Sequence, residues 1–131
     1  MYGNWIKPFF VVAGLYDAIL GIAFLFFSDT IFQSFGVTPP NHPAYVQFPA
    51  LLLLIFGAMF FKIASNPVRN RDLIWYGVAL KAAYSGLAFW HQMADGIPSM
   101  WIPWAWADAV FLLLFLWAWK DIGETKEAQT R

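Results

Sequence analysis

The sequence predicts an all-α fold: a left-handed integral membrane four-helix transmembrane bundle with both termini in the cytoplasm. Three observations carry this. First, 60% of the 131 residues are hydrophobic and only 12% are charged, whereas a soluble domain carries about a quarter charged residues. Second, the apolar residues gather into four segments of about 20, the length that crosses bilayer hydrocarbon. Third, the basic residues divide unevenly between the connections, as they do where a membrane separates two compartments.

The segments run from about 8 to 27, 43 to 63, 73 to 94 and 100 to 119, so the bundle occupies residues 1–120. A polar cytoplasmic tail, 121–131, follows and is expected to fray. The first segment contains Asp17 and has no small-x-small cleavage site, which argues against a signal peptide. Ser28-Asp29-Thr30 and then Ile31, Phe32 and Phe35 form a short amphipathic extension at the membrane surface. Asn41 and His42 offer a cap before Pro43, which suits a first helical turn. Asn66-Pro67 closes the second segment, and Asn70-Arg71-Asp72 brings capping chemistry to the third. Asp95-Gly96 with Pro98 is a helix stop, and Ser99 is placed to cap the fourth segment.

Seven of the eight basic residues lie on one side: Lys7, Lys62, Arg69, Arg71, Lys120, Lys126 and Arg131. Connections 28–42 and 95–99 hold none. The positive-inside rule makes the basic side cytoplasmic, giving a multi-pass protein of the cell inner membrane. The eight tryptophans form belts at the two interfaces, Trp5, Trp75, Trp117 and Trp119 inside and Trp90, Trp101, Trp104 and Trp106 outside. A soluble aromatic bundle explains neither asymmetry.

Composition also excludes chemistry. Basic and acidic residues balance at eight each, so no charged patch points to nucleic acid. With no cysteine there is no disulfide, thiolate site or thiol nucleophile. With only His42 and His91, no metal site is expected within one chain, nor any cofactor. Phosphate-binding loops and nucleophile elbows are absent, and no catalytic residue is assigned.

The eighth basic residue, Lys81, lies inside the third segment. Ten residues separate it from Arg71, a depth of about 15 Å. Asp17 is ten residues past Lys7, also about 15 Å deep, and Asp108 is twelve residues before Lys120, about 18 Å. Three ionisable groups on three helices therefore share one depth near the midplane. Each costs about 2.5–3.5 kcal/mol at a helix centre, so together about 8–10 kcal/mol if unpaired. They are expected to face inward and meet. Asp17 shares a helix face with Ala13, Gly14, Gly21 and Ser28, small residues that admit a close neighbour. Lys81 shares one with Tyr84, Ser85, His91 and Gln92, and Asp108 with Trp101, Trp104, Leu112 and Phe115.

Two carboxylates against one ammonium leave a surplus negative charge in an apolar region. Either one carboxyl holds a proton, or a proton or cation is exchanged there. Gln47, Tyr84, Ser85 and His91 are candidates for a polar path from the cluster to the outer face. Pro49 is expected to kink the second helix and free the Tyr45 carbonyl. In the bland alternative the three charges only fix helix register.

Gly14-Leu15-Tyr16-Asp17 with Gly21, Phe35-Gly36-Val37 before Pro43, Gly77 with Lys81, and an acidic fourth segment resemble small bacterial four-span membrane proteins of the DoxX-like type. That resemblance implies a four-helix bundle. The functional expectation is a proton-linked binding or transport site at Asp17, Lys81 and Asp108, completed by a homo-oligomer or a larger membrane complex in the lipid bilayer. The rivals are an accessory subunit of such a complex and a membrane-embedded enzyme acting on a lipophilic substrate.

Overall fold

Glycine decides which helices come closest. In the computed structural model, which describes residues 1–130 without the Thr130 side chain, a Cβ added at Gly14 would lie 3.0 Å from the Gly57 carbonyl oxygen. One added at Gly21 would lie 2.8 Å from the Ala50 carbonyl oxygen. These positions belong to α1 (Ile6–Ser34) and α2 (Ala44–Ser65), so the small-residue stripe seats one backbone directly on the other. α3 (Ile74–Ala94) and α4 (Ile102–Thr130) form the second hairpin, each entered through a short 3₁₀ turn, Arg71–Leu73 and Ser99–Trp101. Among the described residues the chain is all-helical, with four α-helices and no strand.

Large side chains fill the space between the two hairpins. Phe10, Phe60 and Phe115 are fully buried. Phe10 stacks on Phe115 with centroids 5.5 Å apart, and Phe60 approaches the same ring at 5.0 Å. Gly77 of α3 makes room for this layer, because a Cβ there would sit 2.7 Å from the Phe60 ring. A second cluster at the opposite end packs Phe24, Phe32, Ala50 and Met100. The buried charges lie between these two apolar clusters.

Three helical segments are long and apolar enough to cross a membrane: Ile6–Ser34, Ala44–Ser65 and Ser99–Gln129. α3 is not among them, although its 21 residues are sufficient in length. Lys81, Tyr84, Ser85 and His91 lower its apolarity.

The helix ends follow local chemistry. α1 loses helical geometry at Phe27 (φ −126°, ψ 21°), which sets residues 28–34 off as a separate short helix of about two turns. It then ends in a Schellman arrangement: Gly36 takes φ +64°, its N–H donates to Gln33 O, and the Val37 N–H donates to Phe32 O. His42 Nδ1 accepts the Ala44 N–H at 3.1 Å and so caps α2. α2 continues through Pro49, which has no N–H for the Tyr45 carbonyl. Asn70 does not cap α3. Its side-chain amide donates back to the Lys62 and Asn66 carbonyls and closes α2 instead. Ser99 makes no side-chain cap to α4, which starts from a 3₁₀ turn behind Pro98.

The expected frayed tail is helical. α4 continues past Trp119 to Thr130 because the first residues of the chain and the α2–α3 connection hold it. Asp121 accepts the Gly3 N–H at 2.9 Å, and Ile122 and Thr125 are buried. Arg71 donates from Nε to the Trp119 carbonyl at 2.8 Å and lies 3.7 Å over the Trp119 ring.

Candidate functional site

Asp17, Lys81 and Asp108 come together from α1, α3 and α4. Lys81 Nζ donates to Asp17 Oδ1 at 2.8 Å and to Asp108 Oδ1 at 3.0 Å. All three side chains are buried, Asp17 and Lys81 almost completely and Asp108 to 7% exposure. Local sequence explains each placement. Asp17 lies on the α1 stripe with buried Ala13, Gly14 and Gly21. Lys81 follows Gly77 by one turn and precedes buried Ser85 and Ala88. Asp108 follows buried Ala105 by three residues and precedes Phe115 by seven, all on the inner face of α4.

Aromatic rings box the ammonium. Its nitrogen is 5.0 Å from the centroids of both Tyr16 and Phe111 and 5.9 Å from that of Phe60, within cation–π range. The remaining polar atoms are less well served. Asp17 Oδ2 and the Tyr16 hydroxyl are buried without a hydrogen-bond partner in the protein, an arrangement that costs about 1–3 kcal/mol for each neutral group and more for a charged one.

A cleft of about 600 Å³ leads to this cluster from the end that carries residues 37–40 and 98. Asp108, Tyr16 and Tyr84 are the polar side chains at its deep end. Its walls are aromatic and aliphatic, with Phe24 from α1, Trp101 and Trp104 from the start of the fourth helical segment, and Val46, Pro49 and Leu53 from α2. Trp104 meets Phe24 edge-on at 5.3 Å, and Trp101 stacks on the same ring at 5.8 Å. Leu52 and Leu53 of α2 and Leu80 and Tyr84 of α3 also line it, so both helices contribute to its wall.

The two carboxylates differ in this respect. Asp108 lines the cleft; Asp17 lies behind it, on the α1–α2 contact. Charge in the cleft wall is therefore one carboxylate. Among the described residues no Lys, Arg or His lines it, and the Lys81 ammonium is already bound on two sides.

The candidates for a polar path divide. Tyr84 lines the cleft and donates its hydroxyl to the Trp101 carbonyl at 2.8 Å. Ser85 is buried, but its hydroxyl bonds back to the Lys81 carbonyl, a local helix contact rather than a relay. Gln47 is exposed. It sits about 100° round the helix from cleft-lining Val46, which carries it off the inner face. His91 is at the end of α3, where Nδ1 pairs with Asp95 Oδ1 at 2.9 Å across one helical turn. Both belong to the surface and neither extends the cluster, so a continuous path of the expected kind is not formed.

Tyr16 and the Trp101–Trp104 pair are the groups that sequence reasoning left out of the site. A phenol one residue before a mid-segment aspartate was the available signal for Tyr16. For the tryptophans, membership of an interfacial belt masked their inward contacts. Compared with known proteins, the chain matches no protein family, no curated relative and no solved structure.

Proposed function

We propose that this is an integral membrane protein of the cytoplasmic membrane, with four spans and both termini inside, whose Asp17–Lys81–Asp108 cluster is a proton-linked binding or transport site. α3 is the fourth span in this arrangement. A lone lysine at a helix centre costs about 2.5–3.5 kcal/mol against lipid, but Lys81 is 1% exposed and carries two carboxylate partners. The positive-inside rule supports a cytoplasmic location for the end that carries Lys7, Arg69 and Lys120, and in that orientation the cleft opens outward.

One observation carries the functional part: the cleft of about 600 Å³ terminates on Asp108, a member of the ion cluster. Charges that served only to fix helix register would be expected in a solidly packed interior. Here one carboxylate of the cluster borders open space while the other stays sealed. A formal charge of one minus on the cluster gives that carboxylate a reason to take up and release a proton. A ligand entering the cleft meets the same group, so occupancy and protonation are coupled through one side chain. A lipophilic substrate for an enzyme would use the same cleft, with Asp108 and Tyr16 as acid–base groups, and product formation would reveal it.

Infrared spectroscopy of the protein in lipid nanodiscs tests the proton exchange. A carboxylic-acid C=O band that appears and vanishes as the bulk pH is cycled, and is lost in Asp108→Asn, is expected. A spectrum with no such band at any pH, or one unchanged in Asp108→Asn, refutes the proposal.

A further inference from the structure

The chemistry of the cleft goes on to specify its ligand, an inference that rests on the proton-linked reading above. We propose that it takes a single-chain amphiphile with a protonated amine as its head group, the ammonium docking on Asp108 and the hydrocarbon chain lying between α2 and α3.

Charge selects the head group. The cleft wall holds one carboxylate and, among the described residues, no cationic side chain. An anionic head would meet Asp108 with no counter-charge, because Lys81 is held at 2.8 and 3.0 Å by the two aspartates. An ammonium meets a carboxylate and a wall of aromatic faces.

Apolarity selects the tail. Leu52 and Leu53 of α2 and Leu80 of α3 line the cleft, and the volume of about 600 Å³ falls within the range of about 300–1,000 Å³ typical of small-molecule sites. Exchange is balanced as an acid–base swap. The protonated Asp108 carboxyl gives up its proton to the cleft, and the incoming ammonium takes over as counter-charge to the resulting carboxylate. One proton leaves for each amine bound.

The test uses the full chain in phosphatidylcholine nanodiscs, titrated with dodecylamine, dodecanol and dodecanoate, with empty nanodiscs subtracted. Tryptophan fluorescence reports occupancy, and a pH dye in weak buffer reports released protons. Dodecylamine is expected to bind saturably with about one proton released, dodecanol about tenfold or more weakly, and dodecanoate not at all. Asp108→Asn is expected to remove the preference for amine over alcohol. Leu53→Trp, which keeps the carboxylate and fills the cleft, is expected to abolish binding of both and serves if Asp108→Asn does not fold. Equal binding of amine and alcohol, preference for the carboxylate, or no saturable binding overturns the proposal. If the infrared band still responds to pH in any of those cases, the proton-exchange site stands and only the ligand class falls.

Discussion

Asp108 and Asp17 grip the same nitrogen, at 3.0 and 2.8 Å from Lys81 Nζ, yet only Asp108 also borders the cleft. The cluster thus has a sealed half and an open half. Asp17–Lys81 ties α1 to α3 across the hairpins, while Asp108 from α4 has access to whatever enters. In the proposed function, this asymmetry assigns the sealed carboxylate to holding the fold and the open one to exchange.

Removal of the shared cation strands two buried carboxylates. Lys81→Met is expected to lower stability by about 3–5 kcal/mol, read as a fall in Tm in detergent. The triple variant Lys81→Met, Asp17→Asn, Asp108→Asn leaves no unpaired charge and is expected to recover most of that loss. Equal Tm values for wild type and Lys81→Met would show that the ion pairs contribute nothing to the fold.

The sealed and open aspartates should respond differently to the same change. Asp17→Asn alters the half enclosed by the α1–α2 contact and is expected to reduce Tm more than Asp108→Asn, whose side chain faces space. The infrared response to pH should show the reverse order, with the greater loss in Asp108→Asn. Identical effects of the two variants on both measurements would contradict the division between them.

Close approach of α1 and α2 depends on hydrogen at Gly21. Gly21→Leu pushes a branched side chain towards the Ala50 carbonyl and Leu54 and is expected to cost about 1–3 kcal/mol or more. Gly86 has nothing within 4 Å of an added Cβ, so Gly86→Ala is expected to be neutral or stabilising through helix propensity. Chemical unfolding of the two variants side by side measures the contrast.

Arg71 fixes the far end of α4. Its guanidinium lies over Trp119 and against Gly123, so a Cβ at position 123 would displace it. Gly123→Ala and Arg71→Ala should each loosen residues 120–130, seen as faster amide hydrogen exchange there. Unchanged exchange in both would rule out the clamp.

Single cysteines introduced into a chain that has none report the orientation. Asn41→Cys and Ser99→Cys are expected to react with an impermeant maleimide added outside intact cells, and Glu124→Cys only after permeabilisation. The opposite labelling pattern would invert the proposed topology.

Gln47 and His91 mark where sequence reasoning reaches its limit. Counting 1.5 Å per residue fixes depth along a helix, and depth was enough to bring Asp17, Lys81 and Asp108 to one level. Rotation about the helix axis is a second coordinate. For the three charges, the cost of exposure fixed it, because an apolar exterior leaves only the inward direction. Gln47 and His91 are polar but uncharged or near a helix end, so no comparable penalty dictates where they point. Gln47 faces outward and His91 pairs with Asp95.

By itself the sequence determined the number of helices, the small-residue stripe of α1 and the meeting of three charges, because each follows from local periodicity or from the high cost of bare charge in an apolar medium. Tertiary structure decided that the helices pair as two hairpins, that an aromatic layer from Phe10, Phe60 and Phe115 holds those hairpins apart, and that the gap left beyond this layer opens onto Asp108 rather than Asp17. Those outcomes depend on how side-chain volumes fill the space between helices, a property of several elements packed together that no single segment encodes.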